Sequence, residues 1–527
     1  MIYVIGSGPS GVACAKTLLR HGGNVTMLDV GLDLEDERRG IVEKVRNQKR
    51  SEWNNDLLST YKAELSASLG GVKYKTIYGS LYPYRDVSPY PSSSKNFLAG
   101  PSYAKGGFST LWGASLRIYQ AQDLLGWPIT IDDLAPYYKE ILSFLPISSS
   151  LEVQRILKKT SAVPMEDLKV SRQIDSLIRD TSPFFKEIEN EGGVFDSSKL
   201  AIRAQKDGAT GCVYCALCMY GCPYGHIFNS AAVVKEMQKN EKFNYRPGVF
   251  VESLCENAVE TQIKIRNLLS GKKEILSAKK VFLGAGVYST ARILLQSYEM
   301  LDRPLICHDS QYFLLPLIRS KRTTGISEDD TYTLSQLCLT LNNANGLTRS
   351  ALQIYGYNDL YDSVFRQMTG FLFPTLRNFL RPILERLFLA QGYLHSDNSA
   401  TINISLKRHP VSEYELTLEG INNKNTSLEM RKILKQFSRI SRKMGMTPIT
   451  PGLSITPPGR GYHSGGTFPM RSTPKLCESD LLGRPYSFKR VHVIDASVFP
   501  TIPPGPITIN IMANAARIAD ISLNNGE

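Results

Sequence analysis

The chain has 527 residues, is 42% hydrophobic and 21% charged, and carries a formal net charge of +13. That length and balance exclude a disordered or fibrous chain and fit a globular protein with a large core and two or more domains. No apolar run is long enough to span a bilayer, and no basic leader precedes the first apolar segment, which begins at Ile2, so a cytoplasmic location is expected. The positive charge suits a bound dinucleotide, an anionic membrane surface or an acidic partner. No nucleic-acid-binding module is legible, and no nucleic acid partner is expected.

The first thirty residues set the organisation. Residues 2–5 form a short apolar run, Gly6, Gly8 and Gly11 follow as G-x-G-x-x-G, a helical pattern continues to Arg20, and residues 25–28 make a second apolar run that ends at Asp29. Strand, glycine turn, helix, strand and acid in this order are what a dinucleotide fold needs. Gly6 allows the turn, Gly8 lets the backbone approach a pyrophosphate, and Gly11 lets helix and strand pack closely. The helix start offers free N–H groups to the phosphates. Asp29 suits a ribose hydroxyl and argues against a 2′-phosphate. The motif does not distinguish FAD from NAD.

Residues 35–48 and 53–65 read as helices. The stretch 102–119 holds Gly106, Gly107 and Gly113 around Trp112; it suits either a core turn or a backbone loop against a flat ring. Residues 126–142 read as a turn leading into a capped helix, and the chain to about 204 alternates helices and loops. After the cysteines described below, 245–254, 261–267 and 274–277 read as strands. Residues 279–295 read as strand, Gly-Ala-Gly turn and helix, a second nucleotide-type unit. Residues 332–342, 351–357 and 400–406 read as sheet strands and 427–444 as a helix, mainly in a second domain.

These blocks carry a family resemblance. GSGPSG at 6–11, GGFSTLWGA at 106–114, GWPITIDDLAPYY at 126–138, GAG with ARILL at 284–295, HSGGTFPM at 463–470 and HVIDASVFP at 492–500 together resemble the glucose-methanol-choline oxidoreductases, flavoenzymes that oxidise alcohols and sugars. The resemblance implies an α/β chain, α+β overall, with a Rossmann-like FAD-binding domain and a substrate domain built on an antiparallel or mixed sheet. The expected division is 1–119, 205–300 and 455–527 for the first, including the cysteine segment 211–223, and 120–204 with 301–454 for the second.

The resemblance further implies that Gly6, Ser7, Gly8 and Gly11 cradle the pyrophosphate and that Asp29 holds the ribose. Val251 would contact adenine, and Ala285 and Gly286 would lie near the adenosine half. Gly107, Ser109, Trp112, Gly113 and Ala114 would lie along the isoalloxazine, and Asp495 and Ala496 near the ribityl chain and diphosphate. Some relatives bind FAD covalently through a histidine in S-T-H-W. Leu111 stands there, so dissociable FAD is expected. His463 matches the catalytic base that takes the hydroxyl proton as hydride leaves for the flavin; without the resemblance, a satisfied buried histidine in a glycine turn is equally natural. A second polar residue is usual before the last helix. Pro506 occupies that place and has no side-chain donor or acceptor. Thr508 and Asn510 are the substitutes nearby, with Asn510 expected at the flavin pyrimidine edge.

Cys212, Cys215, Cys218 and Cys222 follow the spacing C-x2-C-x2-C-x3-C-P, the ferredoxin pattern. A three- or four-iron cluster, a structural zinc and a pair of disulfides all remain open. The resemblance to bacterial FAD glucose and gluconate dehydrogenase subunits favours the cluster, and with it a dehydrogenase that hands electrons to a protein acceptor. The alternatives are an oxygen-using alcohol oxidase without a cluster and a catalytically silent flavin-fold binding subunit. Residues 371–389 interleave Leu376, Phe379, Leu380, Ile383, Leu384, Leu387 and Phe388 with Arg377, Arg381 and Arg386 on a helix-like period, with Pro374 and Pro382 starting or kinking the helix. That pattern suits a core helix or a helix in a membrane interface. Residues 313–318, followed by Arg319, Lys321 and Arg322, share its character. A lipid-linked substrate and peripheral attachment at the inner membrane face are the corresponding expectations.

Overall fold

The computed structural model describes residues 1–63, 68–69, 72–73, 75–159, 164–204, 210–326, 328–362 and 373–524. Its first layer is a five-stranded parallel sheet in the order Phe243–Arg246, Val25–Leu28, Ile2–Ile5, Lys280–Leu283, Val491–Val493. The central strands Val25–Leu28, Ile2–Ile5 and Lys280–Leu283 are mainly apolar and buried, as the inner strands of a parallel sheet are. Helices Pro9–Arg20 and Thr508–Asn524 pack against each other beside it. The small residues Ala13, Ala15, Ala513 and Ala516, all buried, keep that packing close. An antiparallel sheet of Val249–Glu256, Thr261–Asn267 and Lys273–Ala278 adjoins this unit.

The second layer is a larger, mainly antiparallel sheet. Its path runs Met446–Pro448, Tyr312–Arg319, Leu387–Leu394, Thr348–Tyr355, Leu337–Asn342, Gly193–Ser197. One face buries Phe313, Leu315, Leu352, Ile354 and Phe388 against Ile433, Phe437 and Ile440 of helix Thr426–Lys443. The alternate residues of the same strands face a cavity. A further sheet joins Ser464–Gly465, Leu305–Asp309, Thr401–His409, Glu413–Ile421 and Ser92–Lys95. The whole is an α/β chain with several sheets.

Three sequence expectations change. Residues 245–254 form two strands in different sheets, because Pro247 and Gly248 (φ +73°) turn the chain between them. Helix Phe373–Leu384 ends where strand Leu387–Leu394 begins, so Leu387 and Phe388 belong to a sheet. The apolar run 313–318 is likewise a strand, Tyr312–Arg319, with alternate residues buried. Parts of the expected elements at 53–65 and 371–389 lie outside the described residues. Among the described residues no helix is long and apolar enough to cross a membrane.

Candidate active site

A single elongated cavity of about 890 Å³ runs between the two layers. One end is the turn after the first strand. Gly6 has φ +96°, and a Cβ there would meet the Gly284 carbonyl oxygen at 2.4 Å, so only glycine lets the two strand ends approach. Gly8 faces open space, where a Cβ would meet nothing within 4 Å. Gly11 is not on the cavity wall: a Cβ there would lie 2.0 Å from the Gly6 carbonyl oxygen, which makes it the helix–strand packing glycine.

Asp29 sits on the wall at the end of the second strand, buried. The Tyr245 hydroxyl donates to its Oδ2 at 2.8 Å, and the Ser7 hydroxyl donates to the same oxygen. Ser7 Oγ in turn accepts from the Gly106 N–H at 2.8 Å. Burial pushes the Asp29 carboxyl up to about 6 against these hydrogen bonds. Val251, Ala285 and Gly286 line the same end. Asp495 is also on the wall. It accepts from the Gly286 N–H at 2.9 Å and the Thr290 hydroxyl at 2.5 Å, and holds the Gly284–Gly286 turn in place.

Gly107, Ser109, Trp112 and Gly113 line the middle of the cavity, with Ala496 and Thr508. The loop is pinned from behind: Ser109 Oγ donates to the Gly106 carbonyl at 2.6 Å and accepts from the Ser230 N–H at 2.9 Å, and Trp112 Nε1 donates to the Phe228 carbonyl at 2.9 Å. Two expected members are elsewhere. Ala114 is fully buried off the wall, at φ +55°, with its carbonyl bound by the Ala201 N–H. Asn510 is also fully buried. Its Oδ1 accepts from the Tyr119 N–H at 3.0 Å and the Tyr138 hydroxyl at 2.7 Å, and its Nδ2 donates to the Arg117 carbonyl at 2.9 Å. Its hydrogen-bonding capacity is spent inside the protein, and it does not line the cavity where the sequence places it.

His463, Pro506 and Ile507 are also on the wall. The His463 ring stacks on Tyr393, centroids 4.8 Å apart and 23° between planes. Among the described residues its Nδ1 is buried without a hydrogen-bond partner. Burial holds the imidazole well below its ordinary value, at about 4, so it is neutral at pH 7 and able to accept a proton.

Two cations on the wall went unread in the sequence. Lys75 donates to the Leu111 carbonyl at 2.8 Å, and burial lowers it to about 8. Arg292 is buried, donates to the Val251 and Glu252 carbonyls at 2.5 and 3.1 Å, and lies 4.4 Å from the Phe250 ring centroid. Position 292 was visible in the ARILL block. Lys75 had no local signal at all.

The four cysteines line one small cavity of about 20 Å³ with His226. All are free thiols, and among the described residues they do not form a group placed to hold a metal. Their segment does reach the large cavity, because Met219 and Tyr220, the residues after Cys218, line its wall.

No family model and no curated protein matches the chain. Among solved structures the chain is similar to pyridoxine 4-oxidase from Mesorbium loti. The TM-score is 0.61 at 13% identity, over 100% of this chain and 99% of that one. The likeness is one of fold.

The cavity suits FAD on its own features. Its wall brings together a glycine turn and helix start beside a buried carboxylate, a backbone loop, and a neutral imidazole whose Nδ1 has no partner among the described residues.

Proposed function

We propose that the chain is an FAD-dependent oxidoreductase acting on the CH–OH group of a sugar or other alcohol, glycan-linked and lipid-linked alcohols included, and that it works as a dehydrogenase. The observation that carries the reading is the neutral imidazole of His463, its Nδ1 without a partner among the described residues, on the wall of the same cavity that Gly6, Gly8 and Asp29 line. Gly6, Ser7, Gly8 and Asp29 would hold the dinucleotide, and Gly107, Ser109, Trp112 and Gly113 would face its ring. Bound FAD supplies a two-electron acceptor for hydride. The chain's own part is to take the hydroxyl proton at His463, to hold that ring against Tyr393 and to enclose the alcohol. The likeness in fold to a protein titled an oxidase of pyridoxine, itself an alcohol, supports this reading.

The cysteine spacing supports an iron–sulfur centre as the electron exit to a protein acceptor, and the shared wall at Met219 and Tyr220 places that segment beside the cavity. The likeness in fold to a protein titled an oxidase supports the second reading, an oxygen-using oxidase without a cluster. Pro506 on the wall favours a third, a silent flavin-fold subunit. Visible spectra with iron, zinc and sulfide counts on anaerobically purified protein decide among them. Flavin bands with stoichiometric iron and sulfide support the relay, flavin bands alone the oxidase, and no flavin the silent subunit. Attachment to an inner membrane face is supported by Phe379 and Ile383, exposed on one face of helix Phe373–Leu384 beside Arg381. Co-sedimentation with anionic vesicles tests it, and a Phe379→Asp variant that sediments equally would end it.

A further inference from the structure

One wall of the active-site cavity is a face of the large sheet. Three neighbouring strands turn alternate side chains into it: Tyr312 and Leu314, Gln391 and Tyr393, Gln353 and Tyr355. The register arranges them in rows. Tyr312 lies beside Tyr393, and in the next row Leu314, Gln391 and Gln353 stand side by side. Gln391 and Gln353 are direct cross-strand partners, so their Cβ atoms are about 5 Å apart.

Each of these amides is tied by one end. Gln391 Nε2 donates to the Tyr393 hydroxyl at 2.9 Å. The Tyr355 hydroxyl donates to Gln353 Oε1 at 2.8 Å. The other ends, a carbonyl on Gln391 and an NH2 on Gln353, have no partner among the described residues. Donor and acceptor therefore lie next to each other on a cavity wall. The pattern is fixed relative to the reacting end, because Tyr393 carries the His463 ring on its own face. Gln391 is two residues along the same strand from Tyr393, a step of about 7 Å, close to the width of one sugar ring.

We infer that Gln353 and Gln391 form a recognition subsite for hydroxyl groups remote from the oxidised carbon, and that the substrate is a polyhydroxylated ring or chain, as opposed to a monohydric alcohol. This narrows the reading of His463 as the base and rests on it. A diol donates to the Gln391 carbonyl and accepts from the Gln353 NH2. A monohydric alcohol displaces water from both amides and pairs with neither, which a site built for hydrogen bonding penalises. The tyrosine rings give the C–H faces of such a substrate an apolar surface.

The test uses FAD-loaded protein and three probes: methyl β-D-glucopyranoside, xylitol and 1-butanol. Wild type is expected to prefer the first two in kcat/KM. Gln353→Leu and Gln391→Leu are each expected to lower the ratio of polyol to butanol kcat/KM about three- to tenfold, through KM. Binding of xylitol to the His463→Ala protein, read by calorimetry, is expected to weaken by the same factor when either glutamine is also replaced. If either Leu variant loses its melting transition, Gln353→Glu exchanges the donor for an acceptor at nearly constant shape and is expected to weaken xylitol binding alike. A wild type that binds no polyol, prefers 1-butanol, or shows the same ratio after the substitutions overturns the subsite. Turnover that survives His463→Ala overturns the catalytic reading instead, while the calorimetric comparison still decides the subsite.

Discussion

The Tyr245 hydroxyl donates to Asp29 Oδ2 at 2.8 Å, joining the ends of two adjacent parallel strands at the edge of the cofactor cavity. The Ser7 hydroxyl shares that oxygen. A carboxylate this buried, already pushed up to about 6, needs its donors to stay ionised. Tyr245→Phe removes one of them. FAD retention is expected to fall about tenfold, since a hydrogen bond to a charged group contributes about 1.5–3 kcal/mol. The loss should deepen as pH is lowered below neutrality and more of the carboxyl protonates. Flavin fluorescence released on dialysis measures both, and retention equal to wild type would show that Asp29 does not hold the cofactor.

His463→Ala is expected to lower kcat by about 10²–10⁴-fold, the usual worth of a positioned base, with the flavin still bound and its visible spectrum intact. Because burial holds the imidazole at about 4, the base is in its active neutral form throughout the neutral range. The acid limb of kcat/KM should therefore appear only near that pH, well below the ordinary imidazole value. An acid limb near 6.5 in the free enzyme would contradict the burial seen here.

His492 offers a stability test away from the cavity. It is buried, stacks on Phe282 with centroids 5.1 Å apart, donates through Nδ1 to the Leu482 carbonyl at 2.9 Å, and leaves Nε2 unpartnered. Its folded value is lowered from 6.5 to about 4. The unfolded chain therefore binds the proton first as pH falls, and stability drops progressively from about 6.5 down to about 4. Asp29 and Asp309, both raised to about 6, act in the opposite sense between about 4 and 6. The stability lost between pH 7.5 and pH 5 should be about 2 kcal/mol smaller in His492→Phe than in wild type. Urea unfolding at the two pH values measures it, and an identical loss in both proteins refutes it.

Gly392 faces the ring of Phe313 directly across two strands. A Cβ there would lie 2.1 Å from the ring. Gly392→Ala forces that ring, which is fully buried, out of its place. Overpacking of this kind costs about 1–3 kcal/mol, and the melting temperature should fall by several degrees. Because Gln391 and Tyr393 flank the site, polyol binding should weaken with it. An unchanged melting temperature would mean that the sheet adjusts freely at this point.

Local sequence sufficed wherever a single strand, turn and helix specify one another. The Ile2–Ile5 strand, the glycine turn, helix Pro9–Arg20 and strand Val25–Leu28 were legible because period and glycine spacing act over a few residues. The same reasoning misread 387–389 as helix, since Leu387 and Phe388 alternate with their neighbours only once sheet partners cover both sides. Asn510 looked available from its place in the first turn of the last helix. Tyr119, Tyr138 and Arg117, hundreds of residues earlier, claim its amide. The sequence by itself determined the nucleotide-type fold, and its resemblance to a known family singled out a candidate base at 463. Tertiary structure alone set the burial that lowers this imidazole and stacks it on Tyr393, because both depend on residues distant in the chain. It also set Gln353 and Gln391 side by side, because strand register brings together residues that no local pattern connects.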